Sequence, residues 1–277
     1  MMPPRHVDQE PSGHDSSDAV LHVEWSGTGP PLVLSHGFTQ TGRVWGGLAG
    51  LLATDHRLAL VDLPGHGGSA AVRADLPTGA RLLGEAGGRA DYLGYSMGAR
   101  FCLHLALARP DLVDRLVLVS ATAGIDDPLE RRARRRSDQD LADRLDPVEG
   151  APPRETVEEF VGRWMGNPLF GDVPPESDGR SERLRNDAAG LASSLRLAGT
   201  GTQEPLWDEA AALAMPVLVV SGGRDAKFAA LGRRLAEAIG PNATHVVVEG
   251  TDHAPHLQQP EVVAAAVRSH LSRDAWG

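Results

Sequence analysis

The stretch that most narrows what this chain can be is Leu93-Gly94-Tyr95-Ser96-Met97-Gly98-Ala99-Arg100. An apolar run ends on a serine between two glycines, and a helix-like pattern follows through Phe101 to Ala108. G-x-S-x-G in that setting puts the serine on a strained strand-to-helix turn with its hydroxyl exposed. A side chain at Gly94 or Gly98 would crowd the turn. The amides that follow, at a helix N-terminus, face whatever develops negative charge. Ordinary glycine-serine turns match the same pentapeptide, so strand before and helix after must carry the argument.

The flanking pattern supplies both. Val20 to Trp25 alternates like an outer strand, and Pro31 to Gly37 is a short apolar run ending in a turn. A helical segment over Thr41 to Ala53 precedes a strand at Leu58 to Asp62. The glycine-rich stretch to Ala90 predicts one short helix, and Asp91 to Tyr95 is the strand feeding Ser96. Further strands are predicted at Arg115 to Ser120, Pro216 to Ser221 and Thr244 to Glu249. Pro260 to Arg273 closes the chain as an amphipathic helix, with proline where a helix start tolerates it. Strands alternating with helices imply right-handed crossovers and a mostly parallel sheet covered on both faces, an α/β fold.

From Gly124 to about Thr202 no strand pattern occurs, only helical, arginine-rich and proline-punctuated sequence. Residues 1–18 hold prolines, serines and acids without an apolar signal core, and read as a disordered tail. The expected organisation is therefore tail 1–18, core 19–123 and 203–277, and a helical lid at 124–202 over the C-terminal ends of the strands. A length of 277 residues suits one such domain. A formal charge of −10 argues against nucleic acid as a partner. No apolar run reaches the roughly 18 residues of a membrane span. The single cysteine, Cys102, excludes an internal disulfide and fits a reducing cytoplasm. It lies on the helix after the elbow and reads as core.

Two later features turn the elbow into a site. Ser221-Gly222-Gly223-Arg224-Asp225 places an acid just past one strand, and Gly250-Thr251-Asp252-His253 places a histidine just past the next. Serine, acid, histidine is the chain order of one known triad arrangement. The chemistry needs these types: histidine takes the serine proton and the acid fixes the imidazole tautomer. Asp225 could instead cap the helix near Lys227, and His253 could be a loop histidine. Asp252 is a rival acid, though adjacent residues rarely face each other. Among rival bases, His66 in its glycine loop reads as structural, and His256 as a residue lining the pocket. The loop His36-Gly37-Phe38 should supply the second oxyanion donor, the Phe38 amide, paired with that of Met97. No Cys/His cluster suggests a metal, and no cofactor is expected.

With these residues in place the sequence resembles the α/β-hydrolase family from about Leu32 to Pro260. More narrowly it resembles the 2-succinyl-6-hydroxy-2,4-cyclohexadiene-1-carboxylate synthases of menaquinone biosynthesis. The segments that carry this are Ser35-His36-Gly37-Phe38-Thr39, Asp62 to Ala70, and Gly94 to Arg100. In the lid they are Glu130 to Asp138, Trp164 with Pro168-Leu169-Phe170, Gly199-Thr200-Gly201 and Leu206-Trp207, followed by Gly223-Arg224-Asp225-Ala226-Lys227-Phe228. The lid blocks and the last block are the specific ones. The elbow departs at Ala99, where glycine is usual, and Asp252 replaces a common glycine.

The resemblance implies a lyase that eliminates pyruvate from an enolpyruvyl cyclohexene bearing carboxylates and a succinyl chain. Ser96, activated by His253, would act as base beside the succinyl ketone, and the oxyanion amides would hold the enolate. A small polycarboxylate substrate calls for cations in the pocket of an acidic protein. Arg100 follows the elbow, and the resemblance extends such roles to Arg134 and Arg185, with Tyr95 and Trp164 as apolar wall. His36 and His256 are also expected to touch substrate. The other arginines of Arg131 to Arg136 read as a solvated helix face paired with acids such as Asp127 and Glu130. The alternative activity is a serine hydrolase of esters, thioesters or carbon–carbon bonds. A non-catalytic receptor on this fold would lack a triad member, and none is missing.

Overall fold

The structure, a computed structural model, describes residues 19–147, 151–171 and 173–272. The expected tail lies outside them. Seven strands form one sheet: β1 (Val23–Ser26), β2 (Pro31–Ser35), β3 (Arg57–Val61), β4 (Ala90–Tyr95), β5 (Val113–Val119), β6 (Val217–Gly222) and β7 (Ala243–Val248). Their order is β1-β3-β2-β4-β5-β6-β7, with β1 antiparallel to β3 and every other pairing parallel. The expected mostly parallel sheet is present.

The apolar strand runs have a simple cause, burial on both faces. Alternate residues serve two cores. Val33, Tyr92, Leu116, Leu118 and Val219 join one, with α2 (Leu76–Gly87) and α3 (Met97–Ala108) packed on it. Leu34, Leu93, Val117, Val119 and Val220 join the other, with α1 (Gly46–Leu52) and α10 (Pro260–Leu271). Helix α8 (Ala226–Ile239) follows β6, and the short α9 (Pro255–Gln258) precedes α10.

Two helices differ from the sequence expectation. Helix α1 is confined to Gly46–Leu52 instead of beginning at Thr41, because Gly46 adopts φ 48°, which a right-handed helix cannot continue through. Helix α2 is a full 12 residues; Asp75 caps it by accepting from the Thr78 amide at 2.9 Å, with Pro77 in its first turn.

Between β5 and β6 lie α4 (Pro128–Leu145), α5 (Val157–Met165), α6 (Arg180–Arg183) and α7 (Ala188–Ala198). This helical insert has its own small core of Ala142, Leu145, Phe160, Leu191, Ala192 and Leu195. Asp127 caps α4 through the amides of Leu129 and Glu130, and Thr156 and Glu159 form a capping box on α5. Among the described residues no helix is long and apolar enough to cross a membrane.

Three histidines, His36, His66 and His256, are fully buried near the carboxyl ends of the strands. Burial holds the first down to about 4 and the other two down to about 3. Each is therefore neutral when folded and takes up a proton on unfolding as pH falls below about 6.5. The unfolded state then binds more protons, so stability is full above that pH and is lost as pH falls towards the folded values. The linkage slope is roughly 1.4 kcal/mol per pH unit for each histidine. Urea midpoints at pH 7.5, 6.0 and 5.0 should fall progressively; constant midpoints would show that these rings are not buried neutral.

The elbow makes the second prediction. A Cβ on Gly98 would lie 2.0 Å from the Ser35 carbonyl oxygen, whereas one on Gly50, within α1, meets nothing within 4 Å. Gly98→Ala should cost about 1–3 kcal/mol from overpacking. Gly50→Ala should add roughly 0.5–1 kcal/mol by restricting the unfolded chain. Denaturant unfolding of the two variants gives opposite signs if the close approach of α3 to β2 is as described.

Candidate active site

Parallel pairing brings the carboxyl ends of β4, β5 and β6 together, and the three groups singled out in the sequence emerge from that edge and the adjoining β7. Ser96 caps α3 at φ 51° and ψ −105°, a left-handed backbone that a non-glycine residue adopts only when its surroundings impose it. Its amide donates to the Val119 carbonyl at 2.8 Å, extending the β4–β5 ladder into the turn. The Ser96 Oγ lies 3.0 Å from His253 Nε2, and His253 Nδ1 lies 2.8 Å from Asp225 Oδ2. The carboxylate can only accept, so Nδ1 carries the proton and donates to it; Nε2 is left to accept from the serine hydroxyl.

Asp225 does two jobs. Its Oδ1 accepts from the Phe228 amide at 3.1 Å, capping α8, while Oδ2 serves His253. Capping the helix and orienting the imidazole are thus compatible roles for one carboxylate. Asp252 does not face the imidazole: its amide and carboxylate bond to Gln258 at 2.7 and 2.9 Å. The loop that presents His253 is held from two sides. Ser120 Oγ donates to the His253 carbonyl at 2.7 Å, and the His253 amide donates to the Leu169 carbonyl of the insert at 3.2 Å. Ser120, at φ 50° just past β5, carries no sequence motif and is not among the expected site residues.

A cavity of about 490 Å³ opens over Ser96. Its apolar wall includes Phe38, Tyr95, Trp164, Leu169 and Phe170; its cations are Arg100, Arg134, Arg183, Lys227 and Arg234. The acids Asp126, Asp127, Glu130 and Asp138 line it too, Asp126 paired with Arg234 and Asp138 with Arg134. Arg100 is buried and donates to the Ala198 carbonyl at 2.8 Å; burial lowers it to about 10, still charged at neutral pH. Arg134 donates through Nε to Asp138 at 2.8 Å, and both residues line the cavity. Phe38 and Met97 both line the cavity. Met97 is the first residue of α3, so its amide has no acceptor inside the helix. The amides flanking Phe38 are engaged, Gly37 with Gln40 Oε1 and Thr39 with His66 Nε2.

Three residues expected to touch substrate, Arg185, His36 and His256, are not among those lining the cavity. Arg185 points away from the cavity and pairs with Glu182 at 3.2 Å, its side chain 53% exposed. Arg183 lines the cavity instead: it is 1% exposed and donates to Thr39 Oγ1 and to the Asp178 carbonyl at 2.8 Å. Helix α6 ends at Arg183, and Arg185 lies in the turn beyond its C-cap Leu184, where its amide donates to the Glu182 carbonyl at 3.1 Å. His36 lies behind the wall, with Nδ1 donating to the Gly37 carbonyl at 2.8 Å and Nε2 accepting from Leu63 at 3.0 Å. His256 is packed beneath the cavity against Tyr95 and Trp45, ring centroids 4.2 and 5.2 Å away. His66, expected to be structural, accepts from Thr39 and bonds to the Pro64 carbonyl at 3.0 Å.

Comparison with known proteins agrees with this architecture. A protein of Bacillus subtilis (strain 168) named as a 2-succinyl-6-hydroxy-2,4-cyclohexadiene-1-carboxylate synthase is 32% identical over 273 residues, covering 92% of this chain and 96% of that one. A pimeloyl-[acyl-carrier protein] methyl ester esterase of Xanthomonas campestris pv. campestris (strain B100) is 34% identical over 263 residues, covering 91% and 99%. Among solved structures, MenH from S. aureus superposes with a TM-score of 0.80 at 26% identity, covering 90% of this chain and 97% of that one. A malate-bound thermophilic esterase from Thermogutta terrifontis gives 0.74 at 26% identity, covering 93% and 94%. The model of the alpha/beta hydrolase family matches residues 32–266, and the chain belongs to that family.

Proposed function

We propose that this enzyme is a carbon–oxygen lyase of menaquinone biosynthesis. It eliminates pyruvate from 2-succinyl-5-enolpyruvyl-6-hydroxy-3-cyclohexene-1-carboxylate to give 2-succinyl-6-hydroxy-2,4-cyclohexadiene-1-carboxylate. The observation that carries this reading is the concentration of Arg100, Arg134 and Arg183 around a cavity over Ser96, in a chain of net charge −10. An ester needs a nucleophile and an oxyanion site; a substrate with several carboxylates also needs cations held away from the serine. The Bacillus relative and the S. aureus structure support the same choice.

In this reading His253, oriented by Asp225, takes the Ser96 proton, and the serine oxygen removes the proton from the ring carbon beside the succinyl ketone. Charge moves to the ketone oxygen, where the amides of Phe38 and Met97 receive it. Collapse of that enolate breaks the carbon–oxygen bond to the enolpyruvyl group, which leaves as pyruvate enolate. The proton held by His253 goes to its methylene carbon, giving pyruvate, while Ser96 keeps the proton taken from the ring carbon. Residues 124–202 act as a lid that brings Arg134, Arg183 and Trp164 to the substrate, with Tyr95 in the opposite wall. The second reading is a serine hydrolase, favoured by the 34% identity to a methyl ester esterase.

Ser96→Ala should abolish pyruvate release from the enolpyruvyl substrate. A charge-assisted hydrogen bond is worth roughly 1.5–3 kcal/mol, so Arg134→Ala and Arg183→Ala should each lower kcat/KM about 10- to 150-fold. Hydrolysis of a small neutral ester by the two arginine variants should stay within a few-fold. Parallel loss of both activities, or no loss, would move the hydrolase reading ahead. For the acid, Asp225→Asn should cost about 10⁴-fold in kcat by favouring the wrong imidazole tautomer, as in other serine triads, while Asp252→Asn stays near wild type. The reverse order of effects would reassign the acid.

A further inference from the structure

The insert also reaches the loop that carries the Phe38 amide, through a residue that does not line the cavity. Asn186, between α6 and α7, is 5% exposed and uses its whole carboxamide. Its Oδ1 accepts from the Gly67 amide at 2.9 Å; its Nδ2 donates to the Thr39 carbonyl at 2.7 Å and to the Arg183 carbonyl at 2.9 Å. Thr39 needs holding, because it adopts φ 66°, a left-handed conformation that a threonine resists.

The consequence passes along two peptide planes. The Thr39 carbonyl gripped by Asn186 shares a plane with the Gln40 amide. That amide donates to the Gly37 carbonyl at 3.1 Å, and the His36 ring donates to the same oxygen at 2.8 Å. The Gly37 carbonyl in turn shares a trans peptide plane with the Phe38 N–H, so fixing one end aims the other the opposite way. Asn186 thus sets the first plane in a chain that ends on the Phe38 amide.

We propose that Asn186 is a positioning residue for the oxyanion amide of Phe38, so that transition-state stabilisation depends on the insert being seated on residues 36–40. This rests on reading the Phe38 amide as an oxyanion donor. It assigns to the insert a part in the chemical step, separate from its arginines' part in binding.

The test compares Asn186→Asp with wild type. Aspartate keeps the shape and the acceptor for Gly67 but has no donor for Thr39. Removing an oxyanion donor outright costs about 10²–10³-fold, so misaligning one should lower kcat for pyruvate release roughly 10-fold or more, with KM within about 2-fold. A second measurement needs no assumption about the substrate. Diethyl p-nitrophenyl phosphate bonds its phosphorus to Ser96 Oγ and expels nitrophenolate, with its phosphoryl oxygen in the oxyanion site. Labelling of Asn186→Asp should slow by a similar factor. In a Thr39→Gly background the left-handed φ carries little penalty, so the loss caused by Asn186→Asp should shrink to about 3-fold or less. Asn186→Ala is read in parallel, should the aspartate variant not fold.

A KM increase with kcat preserved would overturn the proposal, as would a loss from Asn186→Asp that is equal with and without the Thr39→Gly change. Slowed labelling in a protein that releases no pyruvate would uphold the positioning role and overturn the lyase reading. A wild-type chain left unlabelled at Ser96 would overturn both.

Discussion

The contact on which the rest of the site depends is the approach of α3 to β2 beneath Ser96. A left-handed serine can persist only where its neighbours over-determine it. Here the β4–β5 ladder fixes its amide, and Gly98 brings the first turn of α3 against the Ser35 and His36 carbonyls, closer than any side chain allows. Gly94 faces the same constraint from the other side, where a Cβ would meet the Ala99 backbone at 2.6 Å. The turn stores strain, and the parallel sheet, buried on both faces, holds it. That is why Ser96 and Met97 line the same cavity.

The strands were legible to within a residue or two because burial on both faces writes an uninterrupted apolar run. The outer strand was the exception: Val20 is 79% exposed and the strand begins only at Val23. Helices were less legible where glycine serves packing. In α2, a Cβ on Gly79 would meet the Phe101 ring at 2.3 Å, so a residue that weakens the helical signal is there to let two helices touch. Of the expected site residues, Ser96, Asp225 and His253 stood at strand ends, and topology gathers strand ends. Arg183 and Arg185 could not be separated by pattern, because the four-residue α6 ends at Arg183 and is too short for a periodicity to show which arginine faces inward. Ser120 and Asn186 act through main-chain atoms of loops distant in sequence, and no local spacing records such partners.

The histidines show how a fold singles out one ring for the proposed role of base. His36, His66, His253 and His256 all cluster at this end of the sheet, with His36 and His66 rings 5.0 Å apart and Tyr95 between His253 and His256. Three of them lie in surroundings where burial is the first cause of their low pKa, and no carboxylate bonds to their rings. Burial without a carboxylate disfavours the imidazolium, and none of the three rings is bonded to a serine hydroxyl. Only His253 has a carboxylate on one nitrogen and a hydroxyl on the other. The other three are useful because they stay neutral. His36 and His66 each combine a ring donor and a ring acceptor along main-chain loops, an arrangement that protonation would destroy. Selection of the proposed base therefore follows from which ring reaches an acid, and Asp225 reaches His253 because capping α8 fixes its carboxylate at the end of β6.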